Sequence, residues 1–343
     1  MRIALISSYL PFVNGGRRFI VEWLDQKLRE HGHQVESIYL PFSDHPRDLL
    51  SQMTAFRAVK IDGVDRVICF RPPAYLVQHP NKVLWFIHHF RAFYDLWNTD
   101  GAPPHTRYYE ALRRAIFRAD RIALREARAI FTKSSVVQKR LKDFNNVDSA
   151  VLYPPPLTPT AYRNMGYGDE VVYLSRLVAH KRQHLLVQAM AHAKTEVKAR
   201  ICGEDLSGEY AKELTNLVSR FGLGDRVSIE NRWITEQEKC DIIGHSLAVA
   251  YFPLDEDSYG YPTLEAAHSE KAVLTTTDSG GVLEFVTHEQ NGLVCDCDAE
   301  AIAESLDRLY SDRALAESLG KEAHETVEKL RIDWDNVVDH LLG

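Results

Sequence analysis

The feature that most constrains this chain is an alternation of short apolar runs with amphipathic stretches, which proceeds, breaks at a proline cluster and then starts again. RIALISSY at 2–9 is a buried-strand run, and a Pro/Asn/Gly loop follows it. RRFIVEWLDQKLREHG then sets Phe19, Ile20, Trp23, Leu24 and Leu28 on one helical face, with Gly32 at its stop. Further strand-like runs appear at VESIYL, DRVICF, KVLWFIH and ARAIFTKS, so the first half reads as an open, mostly parallel sheet. YPPPLTPT at 153–160 has little capacity for helix and suits an extended connector between domains. Beyond it, EVVYLSRL, VKARICGE, RVSIENRW, LAVAYFP, KAVLTTT and NGLVCD are strand candidates, with helices such as HLLVQAMAHA and EYAKELTNLVSRFG between them.

The pattern predicts an α/β fold class with two Rossmann-like, doubly wound domains facing a central cleft, because open α/β sheets bind ligands at their carboxyl edges. The predicted domains are 1–153 and 154–323, followed by a final helical segment, 324–343, that includes DWDNVVDHLL. A length of 343 residues is enough for two cores. With 45% apolar and 26% charged residues, disorder, collagen and coiled coil are excluded as the main architecture. The longest apolar runs fall far short of the ~20 residues that cross a bilayer. MRIALISSYLPF lacks the apolar core of a signal peptide, which predicts cytoplasmic residence. Five cysteines are too few and odd in number for a disulfide framework, and Cys295 and Cys297 have no second Cys or His pair nearby, so no metal is expected.

Charge is unevenly spread. Residues 1–155 carry a net +8 and the remainder −15, so the halves face different partners or each other. Within 105–142 there are 11 basic side chains against 3 acidic ones, and Leu112, Ile116, Ala119 and Ala123 recur at helical spacing beside a basic face. Such a face is solvated, docks on an anionic lipid surface or guides an anionic acceptor. Nucleic acid is not expected, because the whole chain is net −7 and no recognition motif accompanies the patch.

Several loops point to anion and sugar binding. Asn14, Gly15 and Gly16 lie between the first strand and its helix, where backbone amides and the helix end can approach a phosphate or hydroxyl, although a plain tight turn would use the same residues. The loop is not GxGxxG and is not followed by the Lys-Ser/Thr of a P-loop, which argues against a nicotinamide site. Arg176 and Lys181 in LSRLVAHKRQH sit between a strand and a helix, where both cations can converge on one diphosphate. In YFPLDEDSYGYPTLE, Pro262 suits a first helical position and leaves the amides of Ser258, Tyr259, Gly260 and Tyr261 ahead of it. Asp257 and Glu265 frame that pocket: the first suits sugar hydroxyls, the second, in the first helical turn, suits a ribose diol or simply the helix dipole. Gly280 and Gly281 permit a further close backbone approach, again toward phosphate, though a simple turn would use them equally well.

Taken in order, PFVNGG, SRLVAHKR, DSYGYPTLE, TDSGGVLE and NGLVCDCDAEAIAESLDRLYSD resemble glycosyltransferase family 4 over nearly the whole chain. The most specific element is the pair of acids eight positions apart, here Asp257 and Glu265, with Asp257 where Glu is usual and Ser258 in place of the first Gly. Glu256, one place earlier, is a partial substitute for the usual acid. The resemblance implies the glycosyltransferase-B fold, an N-terminal acceptor domain, a C-terminal nucleotide-sugar domain, and a last helix that crosses back to the first. It also implies retention of anomeric configuration without a metal or other cofactor. Arg176 and Lys181 match the diphosphate pair, Glu265 the ribose acid, and Asp257 the residue that holds the transferred sugar. His88, at the end of VLWFIHHF, matches a histidine near the donor sugar, with His89 competing. Arg91, Tyr94 and Asp95 would be acceptor contacts, and Ser134 a helix cap.

The expected function is transfer of a sugar from a nucleoside-diphosphate donor to the hydroxyl of a glycan, lipid-linked or small-molecule acceptor, with possible work at the inner membrane face. A non-catalytic nucleotide-sugar-binding subunit and a sugar-nucleotide epimerase are the alternatives on the same fold.

Overall fold

The computed structural model describes residues 1–9, 16–43 and 45–343. By internal contacts the chain divides into two units, Met1–Pro154 together with Ile332–Gly343, and Pro155–Arg331. The hand-over thus falls inside the proline run, where a residue before proline is driven to extended backbone. The return to the first unit starts at Ile332 rather than at the 324 read from the sequence. The reason is a single unbroken helix, Arg313–Lys329, which buries Ala316, Leu319, Gly320, Ala323 and Val327 and carries the second unit past that point.

In the first unit the order is β1 (Arg2–Tyr9), α1 (Gly16–Glu30), β2 (Gln34–Pro41), α2 (Leu49–Ala58), β3 (Arg66–Cys69), β4 (Lys82–Phe86), α3 (Arg107–Arg125), β5 (Ala129–Thr132), α4 (Ser135–Asn145) and β6 (Ala150–Val151). The strands form one parallel sheet in the order β2-β1-β3-β4-β5-β6, with Ile3 opposite Val35 and Arg66. Strands covered on both faces are apolar after their first residue, as RVIC and KVLWF are; even the opening Lys82 is buried, its ammonium on the carbonyls of Tyr75 and Val77. Thr106 and Ser134 cap α3 and α4 by accepting from the amides of Tyr109 and Val137.

The second unit runs β7 (Glu170–Leu174), α5 (Gln183–Met190), β8 (Lys198–Gly203), α6 (Glu209–Arg220), β9 (Val227–Asn231), α7 (Glu236–His245), β10 (Ala248–Ala250), α8 (Tyr261–His268), β11 (Ala272–Thr276), β12 (Gly292–Cys295), α9 (Ala299–Ser311) and α10 (Arg313–Lys329). Its sheet is also parallel, in the order β12-β11-β10-β7-β8-β9. Consecutive connections run outward in one direction from β7 and in the other from β10, so these two neighbours flank the topological switch point. There the loops leave the sheet on opposite sides and open a crevice at the carboxyl edge. The last helix, α11 (Trp334–Leu342), belongs to the first unit: Trp334 meets Trp85 edge to face at 6.3 Å, and Arg66 donates to the Leu341 carbonyl at 2.6 Å. Among the described residues no helix is long and apolar enough to cross a membrane.

Candidate functional site

The switch point of the second unit collects most of the polar groups read from the sequence. Lys181 lies on the loop after β7 and Glu256 on the loop after β10, and the Lys181 ammonium is in ion-pair contact with Glu256 Oε2. Tyr251, at the end of β10, donates to Glu256 Oε2 at 3.2 Å while its hydroxyl oxygen accepts from Lys181 Nζ at 2.7 Å. Arg176 is exposed on the same loop as Lys181.

The loop 255–260 is fixed by glycines. Gly260 has φ +74°, and a β-carbon there would run into the Tyr251 ring. Gly280, at φ +63°, comes so close that its β-carbon would lie 2.6 Å from the Glu256 nitrogen, and one at Gly281 would lie 2.6 Å from Ser258. Gly281 donates its amide to the Glu256 carbonyl at 2.7 Å. The close approach that Gly280 and Gly281 permit is therefore to loop 255–258. Asp257 and Ser258 are buried at 7% and 9% exposure, and Tyr259 is buried too, with its carbonyl accepting from Thr263 at 2.6 Å.

Glu265 does not stand in the first helical turn. Helix α8 starts at Tyr261, which puts Pro262 at its second position and Glu265 a full turn in, and the first turn holds no acid. The dipole reading of Glu265 is thereby removed. Its carboxylate, only 3% exposed, accepts from Lys239 Nζ at 2.5 Å, and Lys239 also pairs with Glu236 at 2.9 Å. Burial raises the Glu265 carboxyl above its ordinary value, partly opposed by Lys239. Burial works against the Lys239 ammonium, but Glu265 and Glu236 outweigh it and keep the lysine protonated.

Three residues that motif reading missed complete this edge: Lys239, Tyr251 and Arg182. Arg182 takes a left-handed conformation, φ +55°. It donates to the Phe252 and Pro253 carbonyls, to Thr276 Oγ1, and through both Nη atoms to Asp278 at 2.7 Å, with Cys297 Sγ at 3.2 Å. Its hydrogen bonds hold the Asp278 carboxyl well below the usual carboxylate range. One side chain thus ties the ends of β7, β10 and β11 together. Its adjacency to Lys181 is the only sequence signal that would have flagged it.

In the first unit, His88 is half-buried just past β4, its Nδ1 2.6 Å from the His89 carbonyl. His89 is buried, 2.7 Å from Asn145 Oδ1 and with its ring tilted against Tyr94 at 4.1 Å. Tyr94, expected to touch an acceptor, is instead a core residue at 2% exposure whose hydroxyl donates to Asp120 at 2.6 Å. Its ring stacks on Phe117, and that apolar contact holds it inside. Arg91 and Asp95 pair with each other at 2.7 Å, and Arg140 reaches Asp95 at 3.4 Å. Gly15 lies outside the described residues, and Gly16 opens α1. Among the described residues no group of three His, Cys, Asp or Glu side chains is placed to hold a metal.

Two doubly wound parallel units built in this order define the glycosyltransferase-B architecture. The fold is shared with the Anabaena protein HepE, solved in complex with UDP and glucose, at a TM-score of 0.71 and 18% identity over 99% of each chain. Residues 167–326 match the family described as glycosyl transferases group 1. It is 27% identical over 208 residues to the GDP-mannose-dependent alpha-(1-6)-phosphatidylinositol monomannoside mannosyltransferase of Mycobacterium tuberculosis, covering 57% of this chain and 52% of that protein. It is 23% identical over 213 residues to the human alpha-1,3/1,6-mannosyltransferase ALG2, covering 54% and 50%. The matched stretch spans about half the length of these relatives.

Proposed function

We propose that this chain is a retaining glycosyltransferase that moves a sugar from a nucleoside-diphosphate donor to an acceptor hydroxyl, with the donor in the second unit and the acceptor served by the first. The observation that carries this reading is Lys181 at the β7/β10 switch point, facing a glycine-fixed loop that ends in the N-terminus of α8. In the reaction the bond from the anomeric carbon to the diphosphate oxygen breaks, and a bond from the acceptor oxygen forms on the same face. The acceptor proton passes to the departing diphosphate. Lys181 and Arg176 stabilise the charge that appears on the leaving group, doing the work a metal does elsewhere. Asp257 accepts from hydroxyls of the transferred sugar and Glu265 from the ribose, and His88 is assigned to the donor sugar by the resemblance. The relatives' names, with GDP-mannose and a phosphatidylinositol mannoside among them, support a glycan or glycolipid product.

The outer face of α3 supports work at an anionic membrane on the cytoplasmic side. Trp97, Arg113, Arg114, Phe117, Arg118 and Arg121 line a groove of about 810 Å3. Arg113 is held between the Trp97 and Phe117 rings at 4.9 and 4.8 Å, which fixes one cation among three exposed ones.

The test is a transfer assay with UDP-, GDP- and ADP-sugars, with and without acceptor and chelator. Acceptor-dependent release of diphosphate that survives chelation, and falls by at least ~100-fold in Lys181→Ala, is expected. Conversion of donor without acceptor would mark an epimerase, and binding without turnover a non-catalytic subunit. Loss of activity on chelation, restored by Mn2+ or Mg2+, would overturn the metal-free mechanism.

A further inference from the structure

Lys181 carries a counter-charge of this chain's own, Glu256, and the geometry shows what that counter-charge is not needed for. The loop around Lys181 is held without it: the Tyr173 hydroxyl donates to the Lys181 carbonyl, the Lys181 amide donates to Val178 at 2.9 Å, and Leu254 donates to the His180 carbonyl at 2.9 Å. The backbone of Glu256 is equally fixed, by its bridge to Gly280 and by the Gly281 amide on its carbonyl. The ion pair therefore joins two segments that are already anchored. Its side chains retain access to water, at 12% exposure for Lys181 and 22% for Glu256.

We infer that Glu256 is a resident carboxylate that occupies the ammonium of Lys181 and is displaced by the donor's diphosphate, so that it sets how strongly the site holds that diphosphate. This rests on the donor reading given above. A diphosphate brought to Lys181 while Glu256 stays in place meets a neutral pair and a neighbouring like charge, and gains little. With the carboxylate swung into solvent, the ammonium faces the phosphates, and the Tyr251 hydroxyl at 2.7 Å keeps it in position. Because the Glu256 backbone is locked, the exchange needs only side-chain rotation. After transfer, the returning carboxylate helps expel the nucleoside diphosphate.

The two possible roles of Glu256 predict opposite signs. If it were a support that positions Lys181, its removal would weaken diphosphate binding; as a displaced competitor, its removal must strengthen it. The experiment is calorimetric titration of wild type, Glu256→Gln and Glu256→Ala with the nucleoside diphosphate of the preferred base and with the bare nucleoside, with thermal melts as the check on folding. Expected is about tenfold tighter binding of the diphosphate in both variants, with the nucleoside unchanged. In a Lys181→Met background the gain from Glu256→Gln should vanish, since the two charges act as one pair. Equal or weaker diphosphate binding in the variants overturns the role of Glu256 alone. Failure of wild type to bind any nucleoside diphosphate overturns the donor reading with it.

Discussion

Glu265 Oε1 and Lys239 Nζ lie 2.5 Å apart, joining α8 to α7. The carboxylate is almost wholly shielded from water, so its charge depends chiefly on this ammonium. Tyr162 closes the arrangement by donating to Glu236 at 3.1 Å, the second acid on Lys239.

Removing one partner of a buried pair strands the other. Lys239→Met is expected to destabilise the protein by about 3–5 kcal/mol in urea denaturation, because Glu265 is left either charged in a dry site or protonated. The double variant Lys239→Met/Glu265→Gln should recover most of that stability, and on the proposed ribose role of Glu265 it should still bind donor more weakly than wild type. A single variant as stable as wild type would show the pair to be solvated.

Arg182 makes a different prediction. It spends its guanidinium on three loop ends while adopting a backbone conformation that an L-residue with a side chain reaches at some cost. Arg182→Ala keeps the strained backbone and loses the bonds, so it should destabilise by about 2–3 kcal/mol and raise the donor KM more than it lowers kcat. Arg182→Lys, with no fork to span Asp278 and the carbonyls, should recover less than half of either effect. Denaturation and steady-state kinetics read both. An unchanged KM would confine Arg182 to stability.

How much was legible follows the range of the interactions. Apolar runs such as VVYL and AVLTT announce strands buried on both faces, so two parallel sheets and the hand-over near Pro154 could be read locally. Lys181 and the Gly280–Gly281 turn could be singled out locally, as a cation after a strand and a tight turn, but the segment the glycines pack on, loop 255–258, could not. The ion pairs were not. That Glu256 would meet Lys181, 75 residues away, depends on β10 lying beside β7, and no periodicity encodes sheet order. Tyr94 was misread for a related reason: FRAFYDLW looks like a polar-aromatic surface until the neighbouring His89 folds onto it and Phe117 and Asp120 arrive from α3. On α3 the expected stripe is present, with Ala119 partly buried against the core, and Asp120 is buried beside it.

That buried aspartate gives a pH signature. Burial pushes the Asp120 carboxyl up to about 7, against the pull of the Tyr94 and Tyr75 hydroxyls. Its folded-state value is thus above its unfolded one, so the folded protein holds the proton longer. Stability from this group is full below about pH 4 and declines as pH rises toward 7, by up to about 4 kcal/mol. Asp120→Asn removes the titration while keeping an acceptor for Tyr94. The gap between variant and wild type in melting temperature should therefore be small at pH 4 and widen in the variant's favour through pH 7. Parallel curves would mean that water reaches the carboxylate.

The exposed cations of α3 allow the membrane reading to be separated from catalysis. Arg114, Arg118 and Arg121 recur on one helical face and are all exposed, whereas Arg113 is engaged between two rings and donates to the Phe93 carbonyl at 2.7 Å. Each basic side chain near an anionic surface contributes about 1 kcal/mol, so Arg114→Ala/Arg118→Ala/Arg121→Ala should weaken binding to phosphatidylglycerol vesicles by roughly 100-fold. The same binding should fall as salt rises, because the attraction is screened beyond a Debye length of about 10 Å at 0.1 M. Co-sedimentation with phosphatidylglycerol and with phosphatidylcholine vesicles measures both effects. If wild type partitions equally to the two lipids, or the triple variant binds as tightly as wild type, the basic face of α3 is solvated rather than a docking surface, and the acceptor must be sought among soluble molecules.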